Sequence, residues 1–318
     1  MKIIKSVNNA AGEQQVHPAR DAERSENIFY DYHHSDPRSR QGHLDQPNKL
    51  ALAPIGVFDS GAGGLTILSD LRKELPQEHF IYYGDTAFCP YGVRDDAEVI
   101  QLTVQACRFL VEQGVKLIVV ACNTASQAAL SALRETYPHI PFVGVVPAVK
   151  PAARITRRGR IGIAATNGAV QSAYLHDLID TFASDIQAYS VGCSELVPLV
   201  EQGQLDGPVV DETLRHALQP LTGKDIDVLV LGCTHFPALR PAIERVVGKG
   251  VQVIDSGTAI ARRTHTILDT DGMLFPAQEE EHGTLNIWCS GDARAFSSVA
   301  SAILGYPVEV SQAPCILN

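Results

Sequence analysis

Two cysteines in matching surroundings are the residues of this sequence best suited to acid–base chemistry. Cys122 follows the apolar run VVA and precedes an Asn-Thr pair, and Cys233 follows VLG and precedes a Thr-His pair. Both positions predict a thiol at the tip of a buried strand where a helix begins, and a helix N-terminus lowers a thiol pKa and binds carboxylates. At the ordinary pKa of about 8.5, one thiol can act as a base while its partner stays protonated. The alternative is a pair of buried, inert cysteines.

The surroundings of the two cysteines belong to a weak internal repeat. IGVFDSGAGG at 55–64 resembles IGIAATNGAV at 161–170, and VVACNTAS at 119–126 resembles LVLGCTHF at 229–236. Each unit contains an Ile-Gly strand that leads into a turn and a later apolar strand that precedes a cysteine. Because ligands of open α/β sheets bind beyond the carboxyl ends of the strands, two facing units would present one cysteine each to a shared cleft.

Short apolar runs alternate with amphipathic helical stretches from Pro54 onward. This alternation predicts parallel sheets flanked by helices, because parallel neighbours need a crossover connection. Helical stripes run from Leu65 to Leu75 and from Val99 to Leu110. The predicted strands are IGVF at 55–58, FIYY at 80–83, LIVV at 117–120, FVGVV at 142–146, IGIAA at 161–165, VLVL at 228–231, VQVID at 251–255 and LNIWC at 285–289.

The pattern divides the chain into an extension and two α/β domains. Residues 1–50 are rich in Asn, Gln, Asp, Arg, His and Ser without periodicity, so they predict a flexible extension that cannot bury a core. The histidines there are irregularly spaced, which favours a solvated tail over a metal site. The first domain is predicted to comprise 51–147 plus 262–318, and the second 148–261.

Composition excludes several classes of partner. The formal net charge is −10 and only 19% of the 318 residues are charged, which argues against nucleic acid or an anionic membrane surface as the main partner. No apolar run approaches the length of about 18–20 residues that spans a bilayer, and no secretory signal is evident, so we expect a cytoplasmic protein. The seven cysteines contain no CxxC pair, which predicts reduced thiols rather than a disulfide framework or a structural metal site.

A glycine-rich turn after the first strand is a candidate for substrate binding. Asp59 and Ser60 open this turn, whose spacing is neither GxGxxG nor GxxxxGK[ST]. An acidic side chain before the loop would oppose a phosphate. A carboxylate or ammonium group held by backbone amides and Asp59 fits better, and a purely structural tight turn stays open as the alternative.

Three further features lie near the predicted strand ends. His235 could tune the Cys233 thiol, since imidazole titrates near neutrality, or it could be a structural strand-end histidine. Glu201 is a candidate second carboxylate, with a solvated helix end as the alternative. The loop YYGDTAFCPYG at 82–92 follows a strand, and loops so placed commonly contact ligands. Cys89 in this loop has no counterpart in the repeat, so we predict that it is not catalytic.

Four motifs in sequence order, FDSGAGGL, YGDTAFCPYG, VVACNTAS and LGCTHFPAL, resemble the glutamate racemase family within the aspartate/glutamate racemase superfamily. The resemblance covers roughly 54–310. It implies two pseudo-symmetric α/β domains, each a mostly parallel sheet flanked by helices, with the active site in the interdomain cleft. It also implies an isomerase that converts L-glutamate to D-glutamate for peptidoglycan synthesis, with no cofactor and no metal.

The resemblance also implies roles for individual residues. By the motif match, Cys122 and Cys233 donate and accept the proton, Asp59 assists Cys122, and His235 assists Cys233. Glu201 matches an acidic position of the family. The implied substrate contacts are Asp59, Ser60, Tyr91, Gly92, Asn123, Thr124, Thr234 and His235.

Two departures from the common family pattern bear on regulation. The segment GVVPAVKPA at 144–152 and the N-terminal extension resemble the enteric and related proteobacterial branch. Members of that branch require the peptidoglycan precursor UDP-N-acetylmuramoyl-L-alanine as an activator, so we expect this compound as a partner beside glutamate. The expected assembly is a monomer or a homodimer.

Two other functions stay open on the residues alone. A cysteine hydrolase or acyl transferase could use Cys233 as nucleophile and His235 as base, although that scheme leaves Cys122 unused. A non-enzymatic protein could bind an amino acid in the cleft or modulate a partner such as a topoisomerase. Of these candidates, only the hydrolase or acyl transferase would form a covalent acyl adduct. Only a racemase would exchange the α-proton of the amino acid with solvent.

Overall fold

The computed structural model describes residues 49–276 and 282–314. The extension predicted for residues 1–50 lies outside the described residues except for its last two positions. In chain order, the strands are β1 (Ile55–Asp59), β2 (Phe80–Gly84), β3 (Leu117–Val120), β4 (Phe142–Gly144), β5 (Arg160–Ala165), β6 (Gln187–Gly192), β7 (Val228–Leu231), β8 (Gln252–Ile254), β9 (Leu285–Cys289) and β10 (Val310–Gln312).

The helices that connect these strands cover both sheets. They are α1 (Leu65–Glu74), α2 (Asp96–Glu112), α3 (Asn123–Thr136), α4 (Val149–Ile155), α5 (Asn167–Gln171), α6 (Ala173–Phe182), α7 (Leu196–Glu201), α8 (Pro208–Ala217), α9 (Arg240–Val247), α10 (Gly257–Thr270) and α11 (Ala293–Leu304). The predicted apolar stripes are buried, with Leu68 and Leu71 on α1 and Val99 and Leu110 on α2 fully inaccessible. These faces hold the helices against the sheets and leave the strand ends free to form a site.

The strands form two sheets that repeat one topology. The first has the order β10-β9-β2-β1-β3-β4 and the second β6-β5-β7-β8, and all of their strand pairs are parallel. The order β2-β1-β3-β4 therefore recurs as β6-β5-β7-β8. The register recurs too, because Phe58 pairs with Val120 as Ala164 pairs with Leu231. The predicted fold of two similar, mostly parallel α/β units is confirmed.

Strand boundaries follow the sequence prediction except at the sheet edges. β6 and β10 were not predicted, and β4 and β8 are shorter than the apolar runs at 142–146 and 251–255. Both missed strands lie at the edge of a sheet and carry partly exposed, polar side chains. Only strands covered on both faces read as continuous apolar runs, so these edge strands gave no such signal.

The chain leaves the first sheet after β4, builds the second sheet, and returns to the first with β9 and β10. The predicted boundary at 261/262 falls inside α10, which packs against α1. The division into 51–147 plus 262–318 and 148–261 stays a prediction. Within residues 49–276 and 282–314, no helix has the combined length and apolarity needed to cross a bilayer.

Candidate active site

The carboxyl ends of β3 and β7 lead to one small cavity. Cys122 and Cys233 follow these strands, and both thiols line the cavity, which has a volume of about 20 Å³. A space of this size holds about one water molecule. The lining residues are Ser60, Pro90, Tyr91, Gly92, Cys122, Asn123, Thr124, Thr166, Val197, Gly232, Cys233, Thr234 and His235.

Cys122 occupies the N-cap position of α3 and is almost completely buried. Its Sγ lies 3.5 Å from Ser60 Oγ and donates to it. Burial raises the pKa of this thiol to about 12, and the negative charge of Asp59 adds to the shift, whereas Ser60 and the Ala125 amide act in the opposite direction. This shift makes ionisation of the sulfur at pH 7 costly and favours the protonated thiol at Cys122.

Asp59 is buried beneath the cavity and joins the two halves of the site. Its Oδ1 accepts from the Gly61 amide at 2.9 Å, and its Oδ2 accepts from Thr234 Oγ1 at 3.1 Å. Burial raises the pKa of this carboxyl group, although the charge of His235 opposes the shift. Asp59 is not among the residues that line the cavity, so its carboxylate acts on the site through Thr234 and through its charge.

The Cys233 side is built differently from the Cys122 side. Cys233 follows β7 at the cavity wall, and its Sγ lies 3.6 Å from His235 Nδ1. The prediction that a helix begins here is wrong, because a 3₁₀ turn at Phe236–Leu239 intervenes and α9 begins only at Arg240. A helix that started beside Cys233 would carry Pro241 in its interior, where its ring clashes with the preceding turn.

An ion pair between His235 and Glu201 replaces the missing helix N-terminus. His235 Nε2 lies 2.6 Å from Glu201 Oε1, which also accepts from the Ala62 amide at 2.7 Å. Burial by itself would lower the His235 pKa, but hydrogen bonds with Cys233, Cys89 and Glu201 raise it well above its ordinary value. Burial likewise opposes ionisation of Glu201, yet its hydrogen bond to His235 lowers the net pKa of the carboxyl group.

The turn after β1 fits closely against the second half of the site. A Cβ atom at Gly63 would lie 2.7 Å from the backbone nitrogen of His235 and from Thr234 Oγ1, so only glycine fits there. Thr66 Oγ1 donates to the backbone oxygens of Gly63 and Thr234, at 2.9 and 3.1 Å. The glycine-rich turn thus allows the two halves of the site to pack closely against each other.

The loop after β2 supplies one wall of the cavity. Tyr91 lines the cavity, is buried, and donates its hydroxyl to Asp85 Oδ2 at 2.6 Å. Gly92 lies against the second half, because a Cβ there would be 3.3 Å from Thr166 Oγ1. Burial also raises the pKa of the Asp85 carboxyl group, so Asp85 is not an exposed acid. Its hydrogen bond with Tyr91 has a structural role in the loop.

Asn123 and Thr124 begin α3 directly after Cys122 and line the cavity. The Oδ1 atom of Asn123 is buried without a hydrogen-bond partner among the described residues. A buried carbonyl oxygen without a partner costs about 1–3 kcal/mol, so this atom is suited to a donor that enters with a ligand.

The structure brings all the predicted site residues together, either in the cavity wall or directly behind it. Nine of them line the cavity, whereas Asp59 and Glu201 lie behind it and bond to Thr234 and His235. Sequence reasoning missed the lining residues Pro90, Thr166, Val197 and Gly232. Thr166 had a usable signal, since it occupies the position in the repeat that corresponds to Ser60.

Chemically, the cavity combines two thiols with short hydroxyl and amide side chains and an imidazolium. A thiol pair of this kind can move a proton on and off a carbon acid, and the donors can bind a carboxylate and stabilise negative charge developing beside it. Within 49–276 and 282–314, only Cys89, Glu201 and His235 have ligand atoms grouped closely enough to hold a metal ion.

Comparisons with known proteins give the context for this geometry. The Asp/Glu/Hydantoin racemase family matches residues 65–264. A glutamate racemase of Ectopseudomonas mendocina is 41% identical over 260 residues, covering 81% of this chain and 97% of the relative. The glutamate racemase isoform RacE1 of Bacillus anthracis superposes with a TM-score of 0.75 at 35% identity, over 84% of this chain and 99% of that one.

A second solved structure is that of Escherichia coli glutamate racemase in complex with L-glutamate and the activator UDP-MurNAc-ala. It superposes with a TM-score of 0.73 at 37% identity and covers 82% of this chain and 97% of its own. The sequence identity and the near-complete coverage extend through both halves of the cleft. This chain therefore belongs to the Asp/Glu/Hydantoin racemase family and, within it, to the glutamate racemases.

Proposed function

We propose that this chain interconverts L- and D-glutamate with Cys122 and Cys233 as its two acid/base groups, without a cofactor, and so supplies D-glutamate for peptidoglycan synthesis. The observation that carries the proposal is that the two thiols line one cavity from opposite halves of the molecule. Inverting a carbon requires proton removal on one face and proton delivery on the other. Two fixed groups achieve this without any swing across the substrate.

The electrostatics give the two thiols different starting states. The His235 imidazolium, anchored by Glu201, directs its Nδ1–H toward the Cys233 sulfur, so we assign Cys233 as the base of the free enzyme. Cys122 starts as the protonated thiol. In the direction that starts with Cys233 as the base, Cys233 takes the α-proton. Cys122 then delivers its own proton to the opposite face of the carbon, which leaves Cys122 as the thiolate. The reverse reaction uses the same groups with exchanged roles.

The harder task is to stabilise the carbanion between the two proton transfers. The carboxylate carries much of the developing charge, and preorganised donors around it lower the barrier. We assign this role to Ser60 and Thr124, together with the Asn123 side-chain amide, because the Thr234 hydroxyl already donates its proton to Asp59. The unpartnered Oδ1 of Asn123 then accepts from the substrate ammonium group. That ammonium also offsets the cost of forming a thiolate at Cys122 in the reverse direction.

Substrate entry requires the two halves to separate. A cavity of about 20 Å³ is far smaller than glutamate, and the hydrogen bonds of Thr66, Thr234 and Glu201 hold the turn after β1 against the second half. Opening at these contacts admits the amino acid, and closure then removes water from the thiols.

Regulation by UDP-N-acetylmuramoyl-L-alanine is part of the proposal. It is supported by the segment 144–152 and by the Escherichia coli relative, whose crystal structure holds UDP-MurNAc-ala. Adding this compound to the purified protein should raise kcat/KM, and an unchanged rate would end this part of the proposal. We further propose that the enzyme works in the cytoplasm as a monomer or a homodimer, which light scattering with and without the compound resolves.

The central test follows each glutamate enantiomer in heavy water. With the wild type, the product enantiomer should carry deuterium at Cα, whereas Cys122→Ser and Cys233→Ser should both lose racemisation. Cys193→Ser is the matched control, since Cys193 is a buried thiol that faces the carbonyl oxygens of Val191 and Ala217. Full activity of either site variant would refute the two-thiol scheme, and a covalent acyl adduct on Cys233 would favour a hydrolase.

A further inference from the structure

Cys89, Glu201 and His235 form a cluster that the proton-transfer scheme uses only in part. One ligand atom from each residue lies within 4.8 Å of the other two. Cys89 comes from the loop after β2, Glu201 ends α7, and His235 follows β7. The mechanism uses the imidazole and the carboxylate but gives Cys89 no task.

The composition of the cluster matches the preferences of a thiophilic divalent cation. Zn²⁺ binds cysteine sulfur, histidine nitrogen and carboxylate oxygen at about 2.0–2.3 Å, which separates the ligand atoms of a tetrahedral site by about 3–4 Å. His235 Nε2 and Glu201 Oε1 are 2.6 Å apart and need to open by less than about 1 Å. The remaining atom pairs lie within 4.8 Å, so any pair wider than the tetrahedral spacing needs to close by about 1 Å at most.

The surroundings of the cluster restrict water and hold its members in place. The side chain of His235 is 4% exposed, that of Glu201 is 20% exposed, and Cys89 is half-buried. Glu201 Oε1 is already fixed by the Ala62 amide. A Cβ atom at Gly61 would lie 2.9 Å from Cys89 Sγ and would overlap the Glu201 carboxylate, so the glycine lets the turn pass close to both ligands.

The ligands come from both halves of the cleft. Cys89 belongs to the half that carries the first sheet, whereas Glu201 and His235 belong to the half that carries the second. A cation held by all three would join the halves that must separate for substrate entry. It would also engage the imidazole that faces the Cys233 sulfur at 3.6 Å.

We propose that Cys89, Glu201 and His235 form a binding site for a thiophilic divalent cation such as Zn²⁺, and that the bound cation inhibits the enzyme by holding the cleft closed. Binding displaces the Cys89 thiol proton and an imidazole proton to solvent, and a water molecule completes the tetrahedron. Inhibition rests on the proposed function, whereas cation binding does not.

Binding is tested first with Co²⁺, which reports thiolate ligation by a charge-transfer band in the near ultraviolet. The full chain is stripped with a chelator, freed of it, and titrated. The wild type and Cys122→Ser should both develop the band, and Cys89→Ser should lack it. Glu201→Gln should keep the band with weaker Co²⁺ affinity, which gives a second variant if Cys89→Ser folds poorly. A band that persists in Cys89→Ser, or one that never forms in the wild type, would overturn the site.

Inhibition is then tested with Zn²⁺ against the metal-free rate of each variant. The half-inhibitory Zn²⁺ concentration should rise by more than about 100-fold in Cys89→Ser and stay at the wild-type value in Cys193→Ser. Equal inhibition of the wild type and Cys89→Ser would put the cation on the catalytic thiols instead. If the wild type fails to racemise glutamate, the Co²⁺ band still reports binding, so failure of the proposed function and failure of the site are distinguishable.

Discussion

The two halves of the cleft share strand order and register, yet they support their cysteines with different groups. In the first half, the residue at the end of the central strand is Asp59, and Thr124 stands two residues after Cys122. In the second half, the corresponding positions hold Ala165 and His235. Of these paired positions, one in each half carries an ionisable group, but it is a different position of the repeat in the two halves.

This difference assigns opposite charges to the surroundings of the two sulfurs. Burial of Cys122 and, to a smaller extent, the charge of Asp59 raise the pKa of that thiol and favour its protonated form. An imidazole whose pKa is raised well above its ordinary value lies 3.6 Å from the Cys233 sulfur. In the proposed reaction, the repeated scaffold brings one thiol from each half to the cavity, and the unlike neighbours assign one thiol as the acid and the other as the base. Four predictions test this comparison.

The largest expected effect is the loss of racemisation when either thiol is replaced, and the remaining proton exchange should show which enantiomer each thiol deprotonates. Replacing either Cys122 or Cys233 with serine should lower kcat/KM about 10³-fold. The loss should be equal in both directions, because the enantiomers have equal free energies in water. Residual exchange of the α-proton in heavy water should survive for one enantiomer in Cys122→Ser and for the other in Cys233→Ser. Exchange of the same enantiomer by both variants, followed by proton NMR, would show that the thiols do not serve opposite faces.

Glu201→Gln should impair the Cys233 side of the site selectively. Hydrogen bonds with Cys233, Cys89 and Glu201 raise the His235 pKa, so loss of the carboxylate removes one of these contributions and the imidazolium deprotonates at lower pH. We expect kcat/KM at pH 8 to fall about 10²-fold and the alkaline limb of its pH profile to move to lower pH. The comparison variant Asp59→Asn removes a negative charge near Cys122 and should instead lower the pKa of that thiol. The pH dependence of the rate at which Cys122 is alkylated measures this pKa. An unmoved alkaline limb in Glu201→Gln would show that the ion pair does not tune the site.

Thr166 tests whether the repeat predicts function beyond the cysteines. Thr166 corresponds to Ser60, lines the cavity, and caps α5 by accepting from the Ala169 amide at 3.3 Å. Thr166→Val should raise KM about tenfold with a smaller change in kcat, because a ligand contact is lost. Thr166→Ser keeps the hydroxyl and the cap and should restore the wild-type KM. If the valine and serine variants behave alike, the hydroxyl has no role in binding.

The smallest effect concerns stability and its dependence on pH. The His235 pKa is higher in the folded chain than in the unfolded one, so this contribution is full below about pH 6.5 and is lost as pH rises through the folded value. The Glu201 pKa is lowered, so its contribution is present above about pH 4.5 and is lost on acidification. Glu201→Gln should therefore lower Tm by about 2–4 °C near pH 6, with a smaller difference at both extremes. Thermal unfolding followed by circular dichroism measures this difference, and a pH-independent Tm difference would contradict the assignment.

The sequence by itself determined the parts of this protein that depend on local pattern. Strands β3 and β7 match their apolar runs residue for residue, because strands buried on both faces must be apolar throughout. The repeat around Cys122 and Cys233 indicated two similar units, since like sequences form like strands and turns. The same repeat contained the signal for Thr166.

Only the tertiary structure decided what depends on contacts between distant segments. Edge strands such as β6 and β10 gain their conformation from a neighbouring strand rather than from their own side chains. The ion pair between Glu201 and His235 joins residues 34 positions apart, and the hydrogen bond between Asp59 and Thr234 joins residues 175 positions apart. Burial at these meeting points, rather than residue type alone, sets the pKa values of the carboxyl, imidazole and Cys122 thiol groups, because the cost of charging a group depends on how much water and opposite charge surround it.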